Sequence, residues 1–229
     1  MSIIPDKPPF KLLDILYKKE FILFVVLVSI LIINSNISPY FLDLYNLIDS
    51  TFLFSEKAII ALTMTFVIIA RQIDLSVASI IAVSSVVLGY TTSLGYDTWL
   101  VLLLTLLSGA LCGAFNGAII TKFAIPSIIV TIGTMSLFRG LAYSFLEDSY
   151  YNKFPKLVGK LGGGYLYGYI PYAFLTFILL AFVFAFILHK TSVGKKIYSI
   201  GNNPDAAQYT GIAVDKYLSL IHISEPTRL

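Results

Sequence analysis

Six runs of mainly apolar residues, at 21–33, 58–70, 75–94, 99–121, 125–146 and 169–188, restrict this chain more than any single motif does. A helix needs about 20 such residues to cross the hydrocarbon core of a bilayer, and the last four runs reach that length. The first is short, but residues 12–17 extend it if Lys18 and Lys19 snorkel toward the headgroups. With 57% hydrophobic and 13% charged residues, against roughly 45–50% and 25% in soluble domains, a fold in water would keep a greasy surface. The sequence therefore predicts an all-α polytopic membrane protein with six transmembrane helices, in contact with membrane lipid. Its polar start lacks a small-residue cleavage site, so the first run reads as an uncleaved span.

Charge sets the expected orientation. Lys7, Lys11, Lys18 and Lys19 precede the first run, and Lys190, Lys195 and Lys196 follow the sixth. An even number of spans puts both flanks on one side, and lysine-rich flanks are cytoplasmic. Arg71 and Lys122 mark short turns that parity assigns to the same face. Across the membrane, segment 34–56 carries Asp43, Asp49 and Glu56 without a cation, and the next turn holds Asp97. Segment 147–168 dissents, with Lys153, Lys156 and Lys160 against Glu147 and Asp148. The balance makes residues 1–20 a cytoplasmic segment and 189–217 a cytoplasmic loop. A net charge of +3 gives no sign of nucleic-acid binding.

Polar residues inside the runs are the candidates for function. Asp74, with Ser76 and Ser79 beside it, either ends one helix and caps the next or marks a solute path or gate. Gly109, Gly113 and Gly117 fall on one helix face at four-residue spacing, a pattern that lets helices approach closely. Asn116, one position off that stripe, either bonds across to a neighbouring helix or faces a polar cavity. The fifth run is unusually polar, with Thr131, Thr134, Ser136 and Arg139, and Pro126 suits its first turn. Arg139 either snorkels to the outer headgroups or lines the mouth of a translocation path. Cys112 is alone in the chain and reads as a small packing residue, and residues 162–164, three glycines, read as a flexible turn. There is no GxxxxGK[ST], no metal-spaced His/Cys cluster and no GxSxG, so no metal, cofactor or enzymatic role is expected of the chain itself.

The polar passage 191–216, TSVGKKIYSIGNNPDAAQYTGIAVDK, cannot lie in hydrocarbon. Asn202 and Asn203 can cap a helix that opens with Pro204 and Asp205, and Gly211 stops it. Such a helix has about two turns and needs a partner to persist.

These residues resemble a known family. GKKIYSIGNNPDAAQYTGI is similar to the cytoplasmic loop of membrane permease subunits of bacterial ABC importers for ribose and related monosaccharides. Asp205, Ala206 and Ala207 followed by Gly211 are similar to the EAA-then-Gly pattern through which importer permeases engage their ATPases. IDLSVAS, residues 73–79, resembles the family's IDLSVGS, and residues 113–140 resemble its NG…IP…TLGT…RG passage. Arg71 and Gln72 stand where the ribose branch usually has two glycines, and Ala78 where it has another. The resemblance implies an inner-membrane permease paired with a second permease copy or paralogue, two cytoplasmic ATPase subunits that bind the ATP, and a periplasmic solute-binding protein. It also implies that Asp205, Ala206, Ala207 and Gly211 carry the coupling, in a family of about ten spans.

Residues 218–228, LSLIHISEPTR, match an in-frame reading of a transposase-based sequencing-library adapter. Segment 218–229 is therefore set apart from the fold reading. The rival to an ATP-driven importer is an ion-coupled secondary transporter, but internal repeats and multiple intramembrane carboxylates, which such proteins often show, are not evident here.

Overall fold

The computed structural model describes residues 19–147 and 150–222. Lys7, Lys11, Lys18, Asp148 and residues 223–229 of the terminal string lie outside the described residues, and so do the expectations placed on them. The chain falls into two compact units divided after Ser50. The first holds α1 (Lys19–Ile37), a turn at 38–43 and the start of α2 (Leu44–Ile69). The second holds the rest of α2, then α3 (Val77–Ser93), α4 (Thr98–Phe123), α5 (Ser127–Leu146) and α6 (Lys156–Gly163). A hairpin of β1 (Tyr165–Leu166) and β2 (Ile170–Pro171) leads to α7 (Tyr172–Lys190), α8 (Ser192–Asn202), α9 (Pro204–Tyr209) and α10 (Val214–His222).

Among the described residues, α2, α4, α5 and α7 are long and apolar enough to cross a bilayer, and α1 and α3 are shorter apolar helices. Their outward surfaces suit hydrocarbon: Leu106, Leu111, Phe182 and Phe186 are all exposed. In α7 the buried position is Leu188, as for a helix apolar around its whole circumference. The bundle is therefore all-α, with the two-residue strands as its small exception.

Helix α2 begins well before the expected run at 58–70, so Asp49 and Glu56 sit within it rather than in a loop. Past Pro39 no proline or glycine interrupts the chain until Gly89, and apolar residues continue through Leu44, Leu47 and Phe52, so nothing stops the helix from extending. The glycines at 162–164 are not a free turn either. Gly162 and Gly163 close α6, and a Cβ on Gly164 would stand 2.5 Å from the Lys160 carbonyl oxygen, a clearance only glycine meets.

Helix α4 packs against α3 through Gly109, where an added Cβ would lie 3.1 Å from Ser84 Oγ, and Gly113 and Gly117 are buried on the same face. Phe115 of α4 meets Phe138 of α5 edge-on at 6.1 Å. A second apolar cluster joins Phe66, Val67 and Ala70 at the end of α2 with Leu188 of α7, Ile197 of α8 and Ile221 of α10. Residues 218–222 form the last turns of α10, with Ser219 donating to Thr121 Oγ1 of α4 at 3.2 Å.

Candidate functional site

Helix α2 ends in a defined way. Arg71 takes a left-handed conformation (φ 57°), its N–H reaches the Ile68 carbonyl at 2.9 Å, and the Gln72 N–H reaches Val67 at 3.0 Å. This pair of bonds is a Schellman closure, made with arginine where glycine is usual and so at a cost of about 1–2 kcal/mol. Helix α4 closes at the neighbouring break with Ala124 in the same conformation (φ 52°).

The break between α2 and α3 then turns inward. Asp74 and Ser76 are buried, and Asp74 Oδ1 accepts from the Ser76 N–H at 2.8 Å and from Ser76 Oγ at 2.7 Å. Ser76 precedes α3 as its N-cap, but its hydroxyl caps nothing, because it is committed to the carboxylate. That same oxygen accepts from Asn116 Nδ2 of α4 at 2.8 Å. Asn116 is wholly buried, and its Oδ1 has no hydrogen-bond partner among the described residues. Of the two readings open for Asn116, the structure takes the bond to a neighbouring element.

Helix α5 ties to the same break. Ser127 Oγ accepts from the Ile73 N–H at 3.2 Å, and Thr131 Oγ1 donates to the Ile73 carbonyl at 3.4 Å. Thr134 is buried one turn further along and donates to the Thr131 carbonyl at 3.4 Å. Ser127 was absent from the sequence-derived candidates, although its spacing to Thr131 and Thr134 (i, i+4, i+7) puts all three on one face. Ser136, off that face, is exposed. Pro126 stands one residue outside α5 as its N-cap rather than in its first turn.

Arg139 is not part of this cluster. It is exposed and lines a hollow of about 370 Å³ with Ser85, Tyr143, Tyr150, Tyr151 and Phe154, near the far ends of α3 and α5. A more apolar hollow of about 290 Å³, lined by Val83, Val87, Tyr90, Leu141 and Phe145, shares Val86, Ala142 and Tyr151 with it. Tyr151 covers Gly89, where a Cβ would lie 2.6 Å from the tyrosine.

The polar passage is mostly helical. Helix α8 buries Gly194, Ile197, Ile200 and Gly201, an apolar stripe at helical spacing that was legible in the sequence as a second helix. Asn203 ends α8 and caps α9, its side chain accepting from the Ala206 N–H at 3.0 Å. Within α9, Ala207 is buried while Asp205, Ala206 and Tyr209 face outward. Gly211 closes α9 at φ 83°, its N–H reaching the Gln208 carbonyl at 2.9 Å. The passage lies at the same end of the bundle as the α2–α3 break, because Gly201 rests on Ile69. Among the described residues no group of three His, Cys, Asp or Glu side chains could hold a metal ion.

Residues 46–223 match the family described as branched-chain amino acid transport system / permease component. The chain is 33% identical over 197 residues to the ribose import permease protein RbsC of Haemophilus influenzae, covering 84% of this chain and 61% of that protein. It is 31% identical over 206 residues to the autoinducer 2 import system permease protein LsrD of Klebsiella pneumoniae, covering 86% and 60%. Against LsrC of Escherichia coli O9:H4, of the same import system by name, identity is 34% over 157 residues, covering 69% and 46%. The chain thus spans about half to three fifths of the length of the curated relatives it matches. No solved structure matches it at a significant level. Apolar helices of spanning length in the matched region, joined by tight breaks, agree with the match, and the chain belongs to this permease-component family as a multi-pass protein of the inner membrane.

Proposed function

We propose that this chain is the permease subunit of an ATP-driven importer for a monosaccharide or a similar small polar solute. The observation that carries the reading is the presentation of α9. A six-residue helix is far too short to hold itself in water, yet here it is capped at both ends, anchored by buried Ala207 and left open along Asp205 and Ala206. That is the arrangement of a docking element for a separate protein. Relatives named as ribose and autoinducer 2 import permeases support the solute class.

In this reading Asp205, Ala206, Ala207 and Gly211 engage one of two cytoplasmic ATPase subunits, which bind and hydrolyse the ATP. A second permease copy or paralogue completes the membrane unit, and a periplasmic binding protein delivers the solute. The buried cluster of Asp74, Ser76, Asn116, Thr131 and Thr134 is the inner gate, where directional bonds join three helices. Arg139 stands at the outer mouth, where its guanidinium can donate to solute hydroxyls. Solute entry at the Arg139 end and ATP-driven release of the gate then give alternating access.

The test is co-expression with an ATPase subunit and a periplasmic binding protein from the same organism, followed by uptake into proteoliposomes. Uptake should require ATP inside the ATPase-facing compartment, and Asp205→Lys should cut ATPase co-purification while membrane insertion is kept. Uptake that survives ATP depletion and collapses with the ion gradient would overturn the reading.

A further inference from the structure

Gly201 carries the most restrictive contact between the polar passage and the rest of the bundle. A Cβ built there would collide with the Ile69 carbonyl oxygen and stand 2.9 Å from its carbon and 3.4 Å from Ala70 Cα. The obstacle is backbone at the end of a helix, so no side-chain rotation relieves it. The glycine hydrogen that replaces Cβ points at this oxygen, and the last turn of α8 rests directly on the last turn of α2.

Both sides of the contact are stiff. On one side, the Schellman bonds of Arg71 and Gln72 close α2, and Ala70 is buried. A few residues on, Ile73 is held to Ser127 and Thr131, and Ser76 to Asn116. On the other side, α8 has Gly194 packed on the Leu188 carbonyl of α7, and Lys196 Nζ donates to Tyr217 of α10 at 2.9 Å. Asn203, which ends α8, is also the cap of α9, so the two helices share a residue and leave little slack between them.

We infer that Gly201 is the positioning residue through which displacement of α9 reaches the α2–α3 break, with α8 and the end of α2 moving as one body. This rests on the importer reading above, and it adds the route by which that reading's docking helix would reach its gate. Glycine is required because any side chain would lift α8 off the Ile69 carbonyl and turn a rigid contact into a loose one.

The test uses the permease in complex with its ATPase and binding protein in lipid nanodiscs, with Cys112→Ser as background. Spin labels at Leu75→Cys and Lys195→Cys report the relation of the break to α8, and labels at Tyr96→Cys and Lys195→Cys report the relation of α8 to the opposite end. Between nucleotide-free and vanadate-trapped states, the 75–195 distance should stay fixed while the 96–195 distance shifts by several ångströms. A 75–195 distance that shifts, or a 96–195 distance that does not, overturns the inference. In the second arm, Gly201→Ala should keep ATPase co-purification while the uptake per ATP hydrolysed falls about tenfold; an unchanged ratio overturns it. A variant lost to misfolding leaves the distance arm to decide. If the unmodified chain recruits no ATPase, the importer reading falls with it; if it recruits one and the distances disobey, the relay alone falls.

Discussion

Helices α3 and α5 run the same way from neighbouring breaks, and their two ends are held by different physics. At the start of both, buried polar groups exchange directional bonds: Asp74 with Ser76, Ser76 with Asn116, and Ile73 with Ser127 and Thr131. Near the far ends, the space between them opens into hollows of about 290 and 370 Å³ lined by tyrosines, valines and Arg139. A hydrogen bond in low dielectric fixes distance and angle, and breaking one leaves a costly orphan. Dispersion contacts around a void fix neither. The pair is thus built to be stiff at one end and compliant at the other.

The contrast can be broken or sharpened by substitution. Asp74→Ala removes the acceptor of two buried bonds and strands the Ser76 N–H and O–H, and should cost about 3 kcal/mol, read as a lowered unfolding midpoint in detergent. Asn116→Leu should cost less, about 1–2 kcal/mol, because it removes the bond to Ser76 together with the unpartnered Oδ1. If both variants cost nothing, the stiff end is not stiff. Asn203→Ala should cost about 1 kcal/mol by uncapping α9, and its larger signature should be weaker ATPase co-purification. At the compliant end, Ala142→Val adds volume beside the hollows and should change the midpoint by less than about 1 kcal/mol, against the 1–3 kcal/mol typical of overpacking a filled core. Arg139→Gln, at an exposed site, should move stability by less than about 0.5 kcal/mol while raising the KM for uptake. A large stability loss there would mean that Arg139 is structural and the outer-mouth reading wrong.

Much of this is legible in the sequence. The runs from Leu75 onward mark helices whose bounds lie close to those observed, because a bilayer span needs about 20 apolar residues and leaves that length in the sequence. The cap of α9 was legible for the same local reason: Asn203, Pro204 and Asp205 satisfy free N–H groups within a few residues of themselves. Two further local signals lie in the sequence itself. Gly194, Ile197, Ile200 and Gly201 spell an amphipathic face inside a stretch whose lysines suggested a loop, and Ser127 shares a face with Thr131 and Thr134. The early start of α2 was hidden because Asp49 and Glu56 look like loop residues when charge alone is weighed.

The sequence by itself determined that the chain is a membrane bundle, roughly where its helices lie, and that a short capped helix follows the last long one. All of these depend on interactions within a turn or two of the chain, or on its average solubility in lipid. Only the tertiary structure decided that Asn116 meets Ser76 rather than a cavity, that Arg139 stands apart from the buried cluster, and that Gly201 sits on the Ile69 carbonyl. Each of those depends on the rotation and depth of one helix against another. Residues 40 apart in sequence, like Ser76 and Asn116, come within 2.8 Å only once both are fixed.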